Sequence, residues 1–302
     1  MSLPLRKAMR AITGKETQSR IALPPLSAVE LAEVKEFFPL QKFFVLGQPH
    51  SGGAVLARLL NVHPDLYCGT QAHFFTSQPV LSELFAQSEE VAAPPTTAAL
   101  RAMADFLLER QAHPLGKTVV GDQSPNELGA RAVEEMAAFY PDANLIHIVR
   151  DGRDVLVKQR LQELTGSDVS APRRERNRPA DNVAIFAPGW LADAAAQWAT
   201  GVNETDRLGH QFYGESYYSL RYEDLLARPF DMLAKVWAFL GLSADGLEAK
   251  VSGEIAQEDI ALEKSAQPVW RQFFTPGDKN IFKERTGAAL LKWGYEAGAD
   301  WS

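Results

Sequence analysis

Cysteine is almost absent from this sequence: Cys68 is the single one in 302 residues. An internal disulfide and a cysteine-based zinc site are excluded, and a reducing compartment is the default. A basic surplus is absent too. Lys and Arg number 31 against 38 Asp and Glu, and the net charge of -7 argues against nonspecific nucleic-acid binding. No apolar run approaches a membrane span, and the first forty residues lack the continuous apolar stretch of a signal peptide. Internal repeats and low-complexity tracts are missing. These absences lead to the expectation of a cytoplasmic protein with no membrane span and no nucleic-acid partner.

What is present suits an α/β protein. Hydrophobic residues make up 46% of the chain, ample for a core. "FFVLG" (43–47), "TVVG" (118–121), the run at 145–149 and "YYSLRYEDL" (217–225) read as buried strands. Helical spacing follows each: Val55, Leu56, Leu59 and Leu60; Ala130, Val133, Met136, Ala137 and Tyr140; Leu191, Ala194, Trp198 and Val202; Phe230, Leu233, Val236, Trp237 and Leu240. Thr275-Pro276 with Asp278 marks a further helix start. Alternating strands and helices predict a mostly parallel central sheet flanked by helices on both faces. The expected organisation is an N-terminal extension over 1–40 and a single α/β domain over 41–302. Ligands of such sheets collect beyond the carboxyl ends of the strands. The 47–54 loop, the 121–125 turn and the 150–154 turn are therefore expected to face one cleft.

"VLGQPHSGGAVLARLLNVHP" (45–64) is a strand, a glycine-bearing loop and a helix. Such a loop aims unpaired backbone N–H groups at one point, and the helix dipole adds partial positive charge. Gly52 and Gly53 clear the approach of an anion, and Ser51 adds a hydroxyl. Read alone, the stretch fits either a phosphate cradle or a plain glycine turn. The nucleotide triphosphatase loop needs a lysine and a hydroxyl after its last glycine. Gly53 and Ala54 stand there instead. A magnesium-dependent kinase or triphosphatase thus loses its charge clamp and its metal anchor, and no metal is expected.

"FFVLGQPHSGGAVLARLLNVHPDL" resembles the 5′-phosphosulfate segment of the PAPS-dependent sulfotransferases. "NLIHIVRDGRDVLVKQR" (144–160) resembles the strand and helix start with which that family holds the 3′-phosphate of the donor. "RYEDL" within 219–242 and the Gly-Tyr pair near the C-terminus also match, so the resemblance runs over roughly 42–296. It implies a P-loop-like sulfotransferase architecture. It also implies 3′-phosphoadenosine 5′-phosphosulfate (PAPS) as donor and adenosine 3′,5′-bisphosphate as product, with no metal. By resemblance the nucleotide is held by Pro49, His50, Ser51, Gly52, Gly53, Ala54, Arg150, Lys158 and Tyr222. A guanidinium grips a phosphomonoester with two bonds, which suits Arg150. Lys158 stands where the family has a serine, and Tyr222 matches a tyrosine near the adenine. Arg153 and Asp154 are expected in an ion pair or helix-start contact.

The active-site positions depart from the family. His50 replaces the cation of the loop, Gln71 a glutamate and Gln123 a lysine. Loss of one electrostatic stabiliser costs ~3–4 kcal/mol of transition-state stabilisation. Compensation is available: a dianion raises the pKa of a nearby histidine, so His50 can serve as the cation. His73 is the candidate base and Asp122 a second, although His73 between Ala72 and Phe74-Phe75 also fits a packed core histidine. His63 and His147 read as structural. The 167–182 segment carries four arginines against one glutamate within 173–178. It fits a solvated loop or a surface for an acidic acceptor. Two readings follow: a sulfotransferase acting on a hydroxyl or amine, or a homologue that keeps nucleotide binding without transfer.

Overall fold

The structure, a computed structural model, describes residues 25–70, 96–125, 130–165, 185–256 and 268–298. At its centre are strands β1 (Gln41–Gly47), β2 (Leu66–Gly69), β3 (Val119–Pro125), β4 (Asn144–Val149) and β5 (Tyr217–Arg221). Their spatial order is β2-β3-β1-β4-β5, and each neighbouring pair is parallel. Central β1 is buried from Lys42 to Gly47, as an apolar strand covered on both faces must be.

The helices are α1 (Ala28–Phe37), α2 (Gly53–Leu60), α3 (Thr97–Ala112), α4 (Ala130–Phe139), α5 (Gly152–Thr165), α6 (Pro188–Tyr213), α7 (Tyr222–Ala227), α8 (Pro229–Phe239), α9 (Glu248–Ile255) and α10 (Pro276–Lys292). One face of the sheet packs Phe43, Val45, Ile146 and Ile148 against α2, α8 and α9. The other packs Phe44, Leu46, Val120 and Leu145 against α3, α4 and the end of α6. A further core joins α5, α6 and α10 around Trp198, Trp270 and Phe282. Leu56, Leu59 and Leu60 of α2 are fully buried. At about 1.5–3 kcal/mol each, they fix the helix, and with it the loop that precedes it.

Several sequence expectations are corrected. The strand read over 217–225 ends at Arg221, and Tyr222 opens α7. The 121–125 segment is not a turn, because β3 continues through Pro125 in register with Gly47. The helix expected to end near Val202 runs to Tyr213, since Thr205, Leu208 and Gly209 continue its buried face within a polar-looking sequence. The edge strand β2 was not foreseen; Asn61 holds it by bonding the Cys68 N–H and C=O at 2.8 and 2.9 Å. Thr275 and Asp278 form the expected capping box. Among the described residues, no helix is long and apolar enough to cross a membrane.

His147 and His63 are buried packing residues. His63 Nε2 lies 2.9 Å from the Ser243 carbonyl oxygen, and His147 Nδ1 lies 2.8 Å from the Tyr217 hydroxyl, which donates to Asp206. Burial pushes the His147 pKa down to about 4, against the smaller upward pull of Asp206. The neutral ring is favoured, so stability is complete above the ordinary value near 6.5 and declines as pH falls toward 4. Between pH 7 and pH 5, the wild type should lose about 2 kcal/mol more stability than His147→Asn, by urea denaturation at both pH values. Equal losses in the two proteins would show that His147 does not titrate this way.

Candidate active site

Parallel pairing of β1 with β4 sets two turns side by side. The first runs from Gly47 to Gly53; the second runs from Val149 into α5. Arg150 leaves the end of β4, is 5% exposed, and donates from Nη1 to the His50 carbonyl at 3.3 Å. Its other side faces Asp154 at 3.7 Å, and its guanidinium lies 4.7 Å from the Tyr222 ring centroid. The loop and the arginine, far apart in sequence, thus share one location.

The loop is shaped by its backbone. Ser51 N–H donates to the Gln48 carbonyl at 3.0 Å, closing a tight turn. His50 has a φ of 67°, a left-handed conformation uncommon for a side-chain-bearing residue. Gly52 has a φ of 91° and starts α2 with no side-chain cap. The first-turn N–H groups of α2 are therefore left to another acceptor. Ser51 is fully buried, and its Oγ has no hydrogen-bond partner among the described residues. A buried hydroxyl left so is costly, and an anion in the loop would supply the missing partner.

Two side chains wall the loop. A β-carbon on Gly52 would lie 2.1 Å from the Tyr222 ring, and one on Gly53 would lie 2.6 Å from Gln123 Nε2. Strand alternation explains the second contact. Gln123 shares its face of β3 with Val119, toward α2, whereas Asp122 shares the opposite face with Val120 and lies against Gly69. Of the two neighbours, Gln123 therefore touches the loop. Tyr222 is buried behind the loop as its backing, 2% exposed.

The charges around Arg150 form a graded set. Asp154 accepts from the Trp270 N–H at 2.9 Å, and burial raises its pKa against the opposing pull of Arg150 and, more weakly, of Lys158. Lys158 stands one turn further along α5, partly buried. Arg153 pairs with Asp151 at 2.6 Å and with Glu296, and stacks on Trp270 at 4.1 Å. Arg153 is thus ion-paired with Asp151 and Glu296, while Asp154 faces Arg150. Pro49 lies in the loop before α2, and Ala54 in the first turn of α2. His73 and Gln71, like the arginine-rich 173–178 stretch, lie outside the described residues. Among those described, no group of three or more His, Cys, Asp or Glu side chains could hold a metal ion.

The sequence matches the model of the sulfotransferase family over residues 42–246, more than half of the chain. The chain belongs to that family, whose members are transferases of sulfuryl groups. It is 26% identical over 142 residues to a protein-tyrosine sulfotransferase of Drosophila melanogaster. That match takes in 43% of this chain and spans only 28% of the fly protein. Among solved structures, it is similar to the sulfotransferase domain of the Synechococcus PCC 7002 olefin synthase, with 17% identity, 89% of this chain and 98% of that chain covered, and a TM-score of 0.49. It is also similar to mouse sulfotransferase SULT7A1 complexed with PAP, with 16% identity, 90% and 91% covered, and a TM-score of 0.48.

The two loop glycines should respond differently to a methyl group. Gly52→Ala adds left-handed strain and a collision with a buried ring, and should cost more than about 2 kcal/mol. Gly53→Ala meets only the movable end of Gln123 and should cost less than about 1 kcal/mol. Urea denaturation of both variants checks the order; equal costs would mean that Tyr222 does not close the loop.

Proposed function

We propose that this protein transfers a sulfuryl group from PAPS to a hydroxyl or amine acceptor. The observation that carries the reading is the 3.3 Å contact between Arg150 Nη1 and the His50 carbonyl, which joins the phosphate loop to a buried guanidinium. The residues present fit a nucleotide with phosphates at both ends. Ser51 Oγ is a buried hydroxyl lacking a partner among the described residues, and the start of α2 has no side-chain cap. In this reading Pro49, His50, Ser51, Gly52, Gly53 and Ala54 surround the 5′ end, with Arg150 and Lys158 at the 3′-phosphate. Tyr222 supports the loop from behind.

The donor supplies an activated sulfuryl group. Transfer breaks the bond between sulfur and the bridging oxygen, forms one to the acceptor oxygen or nitrogen, and releases the acceptor's proton. Charge gathers on the departing phosphate, so donors aimed there contribute most. The loop amides and Ser51 meet that charge. A protonated His50 would add the cation that the family's basic residue supplies elsewhere. His73 is the proposed base, with Asp122 second because its strand face turns away from α2. The arginines of 173–178 suit an acidic acceptor.

Thermal melting tests donor binding. Adenosine 3′,5′-bisphosphate at a hundred times its Kd should stabilise the protein by ~2.7 kcal/mol. Mg·ATP should not. A shift with Mg·ATP alone would overturn the reading. Arg150→Ala should weaken bisphosphate binding by about 2–5 kcal/mol; an unchanged Kd would remove Arg150 from the site.

His50 is tested as glycine, which keeps the left-handed backbone. His50→Gly should slow sulfuryl transfer to water from PAPS about 100-fold and also weaken bisphosphate binding, because the product carries its charge on the same phosphate. An unchanged rate would take the cation role from His50. His73→Ala and Asp122→Asn, compared in the same way with an accepted hydroxyl or amine, separate the two candidates for the base.

A further inference from the structure

The two peptide groups flanking Arg150 are held from outside the phosphate site. The Val149 carbonyl accepts from the Tyr295 hydroxyl at 3.2 Å, and the Asp151 N–H donates to Glu223 Oε1 at 3.0 Å. These two holders meet each other, since the Tyr295 oxygen also lies 3.0 Å from Glu223 Oε2, and both contacts are hydrogen bonds at once when Glu223 brings the second proton. One acid–phenol pair therefore grips the backbone on both sides of one arginine.

The pair is itself anchored. Arg221 donates to the carbonyls of Trp293 and Gly294 at 3.3 and 3.0 Å, and its guanidinium lies 5.6 Å from the Tyr295 ring centroid. Arg153 bonds Asp151, Glu296 and the Tyr295 carbonyl. Glu223 follows Tyr222, whose ring meets both Gly52 and Arg150. Burial pushes the Glu223 carboxyl up, with Asp151 adding to it, against the pull of the backbone N–H groups and of Tyr295. An ionised Glu223 competes with the Val149 carbonyl for the one phenol proton. A neutral one donates to the phenol oxygen and leaves the phenol proton for Val149.

An arginine side chain is a lever about 6 Å long from Cα to Cζ. A swing of about 10° at its base moves the guanidinium by roughly 1 Å, enough to lose a two-bond grip on a phosphate. The Arg150 backbone is the end of a strand, where the sheet no longer holds it, so orientation must come from other contacts. We propose that Glu223 and Tyr295 are positioning residues that fix the peptides on either side of Arg150 and aim its guanidinium at the nucleotide's 3′-phosphate. The inference rests on the donor reading above. It adds that 3′-phosphate selectivity is set by residues that do not touch the nucleotide.

The test titrates wild type, Tyr295→Phe, Glu223→Ala and Glu223→Gln with adenosine 3′,5′-bisphosphate and with adenosine 5′-monophosphate. Tyr295→Phe and Glu223→Ala should lose tenfold or more affinity for the bisphosphate and less than twofold for the monophosphate. Glu223→Gln should recover most of the wild-type preference, because its amide oxygen takes the Asp151 N–H and its NH₂ donates to Tyr295. Tyr295→Phe removes a single oxygen, so the result stands even where Glu223→Ala fails to fold. A wild-type preference kept intact in Tyr295→Phe would overturn the inference, as would equal losses for both ligands, the mark of a purely structural role. A wild type indifferent to the 3′-phosphate would sink the donor reading itself, and the positioning role with it.

Discussion

The pairing of β1 with β4 is the constraint on which the site depends. It aligns Leu46 with His147, and beyond that register the two chains turn into α2 and α5 beside each other. The apolar residues of both strands, and Leu56, Ala57, Leu59 and Leu60 of α2, are buried almost completely, so the register cannot slip without exposing the core. The contact between His50 and Arg150 is a consequence of this register. Their adjacency needs no dedicated interaction between the two motifs.

The anion site proposed there relies more on backbone than on formal charge. The uncapped start of α2, the turn at Ser51 and the left-handed His50 and Gly52 bring backbone N–H groups and one buried hydroxyl together. Arg150 adds full charge, tempered by Asp154, which the Trp270 N–H holds in place. Such a site keeps its shape when individual cations are exchanged. In the proposed reading, this lets the loop carry histidine where the family resemblance implies lysine or arginine. The strain in the His50 backbone is the local cost, offset by burial of α2 behind it.

What the sequence disclosed follows from the range of the interactions. The phosphate loop is local: strand, glycines and helix lie within twenty residues, and their pattern is readable. The place of Arg150 was legible for the same reason, as the residue that follows an apolar strand. Tyr222 was placed in a strand because aromatic and apolar residues run on past Arg221; in the structure it opens α7 and its ring packs against Gly52, a distant contact that no local pattern announces. The contrast between Asp122 and Gln123 required the true end of β3, since a turn at 121–125 would leave either side chain free to face the loop. The roles of Glu223 and Tyr295 were hidden most deeply. "RYEDL" and a Gly-Tyr pair could be seen separately, but their meeting spans 72 residues.

A crystal structure with adenosine 3′,5′-bisphosphate tests the central claim most directly. The account predicts a single bound nucleotide, its 5′-phosphate on the amides around Ser51 to Ala54 and on Ser51 Oγ, its 3′-phosphate on the guanidinium of Arg150. A nucleotide seated elsewhere, or one that reaches only one of those two groups, would contradict it.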